Sequence, residues 1–365
     1  MSSLEHYLDR VILGDSAELL GQLPAASVHL CVSDIPYGIS LDQWDVLHGN
    51  TNSALLGQSP AQVGKSGFKR RGKPINGWNA ADREIPRQYQ EWCIAWTSRL
   101  FPVMKNGASV FLFAGRRHLH RAIIAMEDAG FLLRDLLAWE KPNAHHRAQR
   151  LDNLIVNRGH KAEAQRWKGW RVGSLAPKWE PIAWFFKPYE HTILSNVLEN
   201  EVGAINVEAC LIDGTSPTNV LKFAHEPGER LHEAQKPLEL IKYLVQLTTR
   251  EGQVVLDPFL GSGTTAVAAM QLGRHFIGFE VNREHFETAQ SRVTRAAQLL
   301  KAGVIERDRQ SGQLSFLLDA GLVYGPGKHR HGVERTAGKA HGRKRRGKRQ
   351  TIASETGTPV SLSRL

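Results

Sequence analysis

The chain has 365 residues, 41% hydrophobic and 23% charged, with three cysteines and a formal net charge of +11. That length suits one large domain carrying insertions, with core enough to fold without disulfide or metal staples. Cys31, Cys93 and Cys210 form no CxxC pair, and neither His118 with His120 nor His145-His146 has partners at metal-ligand spacing, so no disulfide framework and no metal are expected. No apolar run reaches transmembrane length and the start MSSLEHYLDR lacks a signal core, which points to a reducing, cytoplasmic setting with no membrane partner.

In chain order, Val11–Leu13 is a short apolar run ending at Gly14-Asp15, and 17–23 has helical spacing up to Pro24. Residues 28–32 (VHLCV) read as a strand buried on both faces, followed by Asp34-Ile35-Pro36-Tyr37. Residues 40–85 lose periodicity and carry the basic run around Lys69 and Arg70, which suits a mobile loop facing an anion. A helix is expected over 88–101, a strand over 108–113, a helix over 118–129 and a strand over 131–139. The segment 143–178 carries eight Lys/Arg against two carboxylates, together with Trp167 and Trp170. A strand at 181–186 precedes an irregular, turn-rich stretch over 188–233. Then follow a helix (237–249), a strand (254–257), a helix (264–272), a strand (275–280) and a long helix (283–300).

Strands that are apolar throughout, alternating with helices, predict an α/β fold: a doubly wound, mostly parallel sheet. Residues 1–325 read as one domain. Residues 326–365 carry eleven Lys/Arg against two carboxylates, cannot bury apolar area and read as a basic disordered tail. Basic charge in two blocks suggests a polyanion partner, and a solvated tail plus a charged loop explains it about as well.

The sharpest local pattern is strand VVLD, loop Pro258-Phe259-Leu260-Gly261-Ser262-Gly263, then a helix from Thr264. Ligands of doubly wound sheets sit beyond the strand ends, where glycines let the backbone approach. The loop matches neither GxGxxG nor GxxxxGK[ST]. Glu280 ends the next strand, a place that suits a ribose diol.

The stretch HEAQKPLELIKYLVQLTTREGQVVLDPFLGSGTTAVAAMQLGRHFIGFEVN resembles the cofactor-binding half of DNA amino-methyltransferases, and Asp34-Ile35-Pro36-Tyr37 is similar to their catalytic tetrad. Tetrad first and glycine motif last is the circularly permuted order of the β class. The resemblance implies S-adenosylmethionine as cofactor. Asp257, Phe259, Gly261, Ser262 and Gly263 would then line its amino-acid end, Thr264 and Thr265 its carboxylate, Glu280 and Asn282 its ribose, Lys236-Pro237 its methionine side, and Asp15 the adenine. Ile35 stands where the family usually has proline, a change that keeps the carbonyl.

The resemblance also implies the chemistry. The exocyclic amine of adenine or cytosine is a weak nucleophile because its lone pair is delocalised into the ring. The Asp34 carboxylate and the Ile35 carbonyl would each accept one N–H and free that lone pair for in-line attack on the sulfonium methyl. Tyr37 would stack on a base flipped out of the duplex, and Pro36 would stiffen the turn. Aspartate in first place leans toward adenine N6, with cytosine N4, an RNA or protein-amide acceptor, or a decayed DNA-binding protein as alternatives. Segments 143–178, with Arg147, Arg150, Arg166, Lys168 and Arg171, and 190–233 are candidates for target recognition on double-stranded DNA. A homodimer, a cognate restriction enzyme and nucleoid association are compatible with the resemblance, but no residue indicates them.

Overall fold

The computed structural model describes residues 3–37, 80–142, 149–172, 175–224 and 235–303. The basic loop with Lys69 and Arg70, Arg147, His145-His146 and the tail from 326 onward lie outside the described residues.

Eight strands form one sheet among the described residues. In spatial order they are β1 (Arg10–Leu13), β10 (His275–Glu280), β9 (Val254–Asp257), β2 (Val28–Asp34), β3 (Met104–Phe113), β7 (Trp179–Phe186), β4 (Leu132–Glu140) and β8 (Val220–Lys222). The pairings from β1 to β3 are all parallel, and so is β4 with β8. Strand β7 runs antiparallel to both neighbours. The sheet is therefore mixed but mostly parallel.

Nine α-helices accompany it among the described residues: α1 (Ser16–Leu20), α2 (Ala80–Val103), α3 (Leu119–Asp128), α4 (Leu151–Asn157), α5 (Lys161–Ala164), α6 (Ile193–Asn200), α7 (Leu238–Thr248), α8 (Thr264–Gln271) and α9 (Arg283–Lys301). Two apolar cores explain why the central strands read as unbroken apolar runs. Val110 and Leu112 of β3 pack with Trp96, Leu100 and Met126 of α2 and α3 on one face. Phe111 and Phe113 pack with Leu240, Leu244, Ala266 and Ala269 of α7 and α8 on the other. Successive side chains of a strand point to opposite faces, so a strand covered on both must be apolar at every position.

Three local expectations are corrected. Helix α2 begins at Ala80, eight residues before the expected start, and takes in Pro86 and the end of the expected loop. Helix α1 ends at Leu20, capped by Gly21, rather than running to Leu23. Helix α6 occupies part of the stretch expected to be irregular; Thr192 caps it by accepting the Ser195 N–H at 3.1 Å. The basic segment is ordered over 149–172, where β5 (Gln149–Arg150) and β6 (Arg171–Val172) pair antiparallel and bracket α4 and α5.

Candidate active site

Strand β9 lies between β10 and β2. The chain leaves β9 through α8 toward β10 on one side, and leaves β2 toward β3 on the other. The gap between β9 and β2 is thus a topological switch point, and a crevice opens outside the strand ends there. Asp34 ends β2, Asp257 ends β9 and Glu280 ends β10, while Asp15 follows β1 by two residues. Four carboxylates named from sequence therefore share one edge of the sheet.

The glycine loop is held from below. Asp257 accepts the Ser33 hydroxyl at 2.7 Å, the Phe259 N–H at 3.0 Å and a hydrogen bond from the Thr265 side chain. Burial, only partly opposed by these donors, pushes its pKa up to about 6. Glu280 accepts the Gly261 N–H through Oε2 and the Asn282 N–H through Oε1, both at 2.8 Å. Gly261 and Gly263 have φ of +56° and +88°, the region glycine enters without penalty. A Cβ on Gly263 would sit 3.2 Å from Ala289 of α9, whereas one on Gly261 would meet nothing within 4 Å. The loop thus packs hard on α9 at one glycine and opens onto free space at the other.

Several residues assigned to cofactor contact have work within the chain. Asp15 caps α1, accepting the Ala17 and Glu18 N–H groups at 2.8 and 3.2 Å. Asn282 caps α9 through the His285 N–H. Arg292 of α9, which nothing in the sequence singles out, donates to the Ser262 carbonyl at 2.6 Å, the Ser262 hydroxyl at 3.1 Å and Thr264 Oγ1 at 3.3 Å. Phe259 packs against Trp92 (tilted) and edge to face against Trp96 of α2, with centroids 5.3 and 5.4 Å apart.

The tetrad is clamped at its backbone. The Ile35 N–H donates to the Phe113 carbonyl at 3.0 Å and extends the β2–β3 ladder by one bond, while the Ile35 side chain is fully buried. Tyr89 of α2 donates its hydroxyl to the Pro36 carbonyl at 2.9 Å, and His118 Nδ1 meets the Tyr37 carbonyl at 3.0 Å. His118 also packs on the Tyr89 ring at 5.1 Å, and burial lowers its pKa. Gly115 lets the backbone approach Tyr37, since a Cβ there would lie 3.0 Å from that of Tyr37. Among the described residues the Ile35 carbonyl accepts no hydrogen bond, and the buried Asp34 Oδ1 has no partner either. A buried acceptor without a donor is costly, and Asp34 Oδ1 is one of six buried side-chain polar atoms with no hydrogen-bond partner among the described residues.

Asp34 Oδ2 is engaged by the Lys236 ammonium. Lys236 is itself buried and also reaches the Tyr37 hydroxyl at 3.2 Å. Its side chain thus lies on the tetrad, whereas the resemblance assigned it to the methionine side of the cofactor. Burial raises the Asp34 pKa and Lys236 opposes that rise. Of the basic residues named from sequence, Arg150 pairs with Asp152 at 2.5 Å and Arg166 with Glu163 at 3.2 Å, while Lys168 and Arg171 are exposed. In the same segment Trp167 and the exposed Trp170 meet edge to face at 5.6 Å.

Residues 28–291 match the N6_N4_Mtase family of DNA methylases. The chain belongs to that family. It is 47% identical over 294 residues to the Type II methyltransferase M.HindIII of Haemophilus influenzae, covering 78% of this chain and 95% of that protein. It is 22% identical to M.HinfI, also of Haemophilus influenzae, over 80% of this chain and 70% of that protein. The PvuII DNA methyltransferase (cytosine-N4-specific) superimposes with a TM-score of 0.50 at 17% identity, over 80% of this chain and 92% of that one, a likeness of fold alone. The chain is accordingly a DNA methyltransferase of the amino-methylating class, with S-adenosylmethionine as its cofactor. The open cradle at Gly261 and the partnerless Asp34 Oδ1 fit a site that takes this cofactor and an amine side by side. No helix among the described residues is long and apolar enough to cross a membrane.

Proposed function

We propose that the protein methylates the exocyclic N6 of a flipped-out adenine in double-stranded DNA. The observation that carries the reading is the pair of acceptors without a partner among the described residues, Asp34 Oδ1 and the Ile35 carbonyl, on adjacent residues at the switch point. Two acceptors match the two N–H bonds of an amine. Drawing on both pulls the nitrogen toward tetrahedral geometry and frees its lone pair. S-adenosylmethionine supplies an electrophilic methyl. The chain's own work is to hold the amine, stack the base on Tyr37 and keep the glycine loop in register with Asp34 through the Ser33–Asp257 bond. As the amine gains the methyl it sheds one proton, and Asp34 Oδ1 is the acceptor within reach.

The loop backbone around Phe259, Gly261 and Gly263 would hold the methionine end, with Thr264 and Thr265 opening α8, whose N-terminus favours a carboxylate. Glu280 keeps lone pairs for the ribose. The excursion over 149–172, with Lys168, Arg171 and Trp170 exposed, would contact DNA. Likeness to a Type II methyltransferase supports a cognate restriction enzyme, and a cytoplasmic, nucleoid-associated location follows from the substrate.

The test is to express the chain in an unmethylated host and to analyse its nucleosides by mass spectrometry. N6-methyladenine is expected, lost in Asp34→Ala while cofactor binding persists. Methyl on cytosine N4 would overturn the choice of base, and no methylated base in any DNA would overturn the reading as a whole.

A further inference from the structure

We propose that Lys236 is a positioning residue for the catalytic carboxylate: its ammonium occupies Asp34 Oδ2 and so turns Oδ1 alone toward the amine. The inference rests on the reading of Asp34 as the acceptor for the target base. Lys236 is 6% exposed, and its ammonium lies 5.6 and 5.4 Å from the ring centroids of Tyr37 and Phe113. It donates to the Tyr37 hydroxyl at 3.2 Å, so one cation fixes both the acceptor and the stacking ring. Pro237 follows as the N-cap of α7 with φ of −57°, and a proline there restricts the backbone of Lys236 before it.

The charges around Asp34 make a cation there necessary. Glu180 of β7 and Asp257 of β9 both oppose a negative charge on Asp34. Burial works against the charge on Glu180 too, but Lys236, Lys141 and Arg116 outweigh it and hold its pKa below the ordinary value. Lys141 spends its ammonium on Glu180 itself. The neighbour on β3, Phe113, is apolar. Besides the Tyr37 hydroxyl, Lys236 is therefore the group that favours the ionised form of Asp34. A protonated Asp34 would offer a donor where an acceptor is needed.

A contact between Lys236 and the methionine end of the cofactor is the competing role, and one set of measurements separates the two. In Lys236→Met the single-turnover rate of methyl transfer should fall roughly 10- to 100-fold at neutral pH, and the acid limb of its pH profile should move to higher pH. Cofactor affinity by calorimetry should stay within about threefold. Independently of turnover, the Asp34 carboxylate of DNA-free protein, followed by carbon-13 NMR, should titrate at higher pH than in the wild type. Lys236→Arg keeps the charge, so the limb should hold its place while the rate falls from altered reach. In Lys236→Met, cofactor affinity falling more than about tenfold, with the limb and the NMR titration unmoved, would overturn the proposal. If the wild type methylates no DNA, the functional reading fails instead, and the NMR titration still decides the Lys236–Asp34 relationship.

Discussion

The Ser33 hydroxyl donates to Asp257 Oδ1 at 2.7 Å across 224 residues of sequence. Ser33 immediately precedes Asp34, the proposed catalytic carboxylate, and Asp257 opens the glycine loop, so beyond the β2–β9 ladder this buried bond ties the two halves of the site together. Ser33→Ala leaves the ladder intact but deprives a buried carboxylate of a donor. A loss of about 1–3 kcal/mol in urea denaturation is expected. Methyl transfer should fall further than cofactor affinity, because the register of the loop with Asp34 is disturbed more than the loop itself. Equal, small effects on both would mean that the bond only fills the core.

Tyr89 and His118 hold the tetrad at its backbone. Ile35 keeps its N–H and spends it on Phe113, while the Pro36 and Tyr37 carbonyls are held by side chains from α2 and from the start of α3. Tyr89→Phe removes one clamp without opening a cavity. The rate constant is expected to drop about tenfold with little change in apparent DNA affinity. A matching loss in DNA affinity would place Tyr89 in binding rather than in tetrad geometry.

Gly261 and Gly263 should respond differently to alanine. At Gly263 a Cβ meets the Ala289 backbone at 3.2 Å in addition to the strain of φ +88°, so Gly263→Ala should lower stability first. At Gly261 the new methyl points into open space, and only the φ strain, about 1–2 kcal/mol, applies. Gly261→Ala should therefore remain folded while losing S-adenosylmethionine affinity. Denaturation and calorimetry on both variants check the ordering, and a Gly261→Ala protein with full affinity would remove that residue from the cradle.

The cofactor half was legible because its signals are local. Apolar runs mark β9 and β10, glycines mark the turn between β9 and α8, and Glu280 ends a strand. What stayed hidden depends on reach. Lys236 sits where α7, the helix before the glycine motif, begins, yet its long side chain crosses to Asp34, 202 residues earlier, and sequence spacing carries no record of that. Arg292 lies on a charged helix whose pattern does not distinguish the one arginine that turns back to Ser262. Helix α6 escaped notice because it leaves Leu194 and Leu198 exposed and buries Asn196, the reverse of an ordinary amphipathic pattern. Asn196 stands where Gly107 leaves room, a pairing visible only in three dimensions.

His29 and Asp257 titrate against each other in folding. His29 Nδ1 accepts the Val254 N–H at 3.2 Å, which requires that nitrogen to be unprotonated, and burial, aided by Lys105, lowers its pKa to about 4. Its contribution is present above the unfolded value of 6.5 and is lost as pH falls toward 4. Asp257 has the opposite sign. Burial raises its pKa from 3.8 to about 6, so the folded chain holds the extra proton; its contribution is full below 3.8 and is lost as pH rises through 6. The two slopes oppose each other over nearly the same window and flatten the wild-type profile. In His29→Gln, stability by urea denaturation should decline as pH rises from about 4 to about 7, and in Asp257→Asn it should climb over that range. Parallel profiles for the wild type and both variants would show that neither group changes protonation between the folded and unfolded chain.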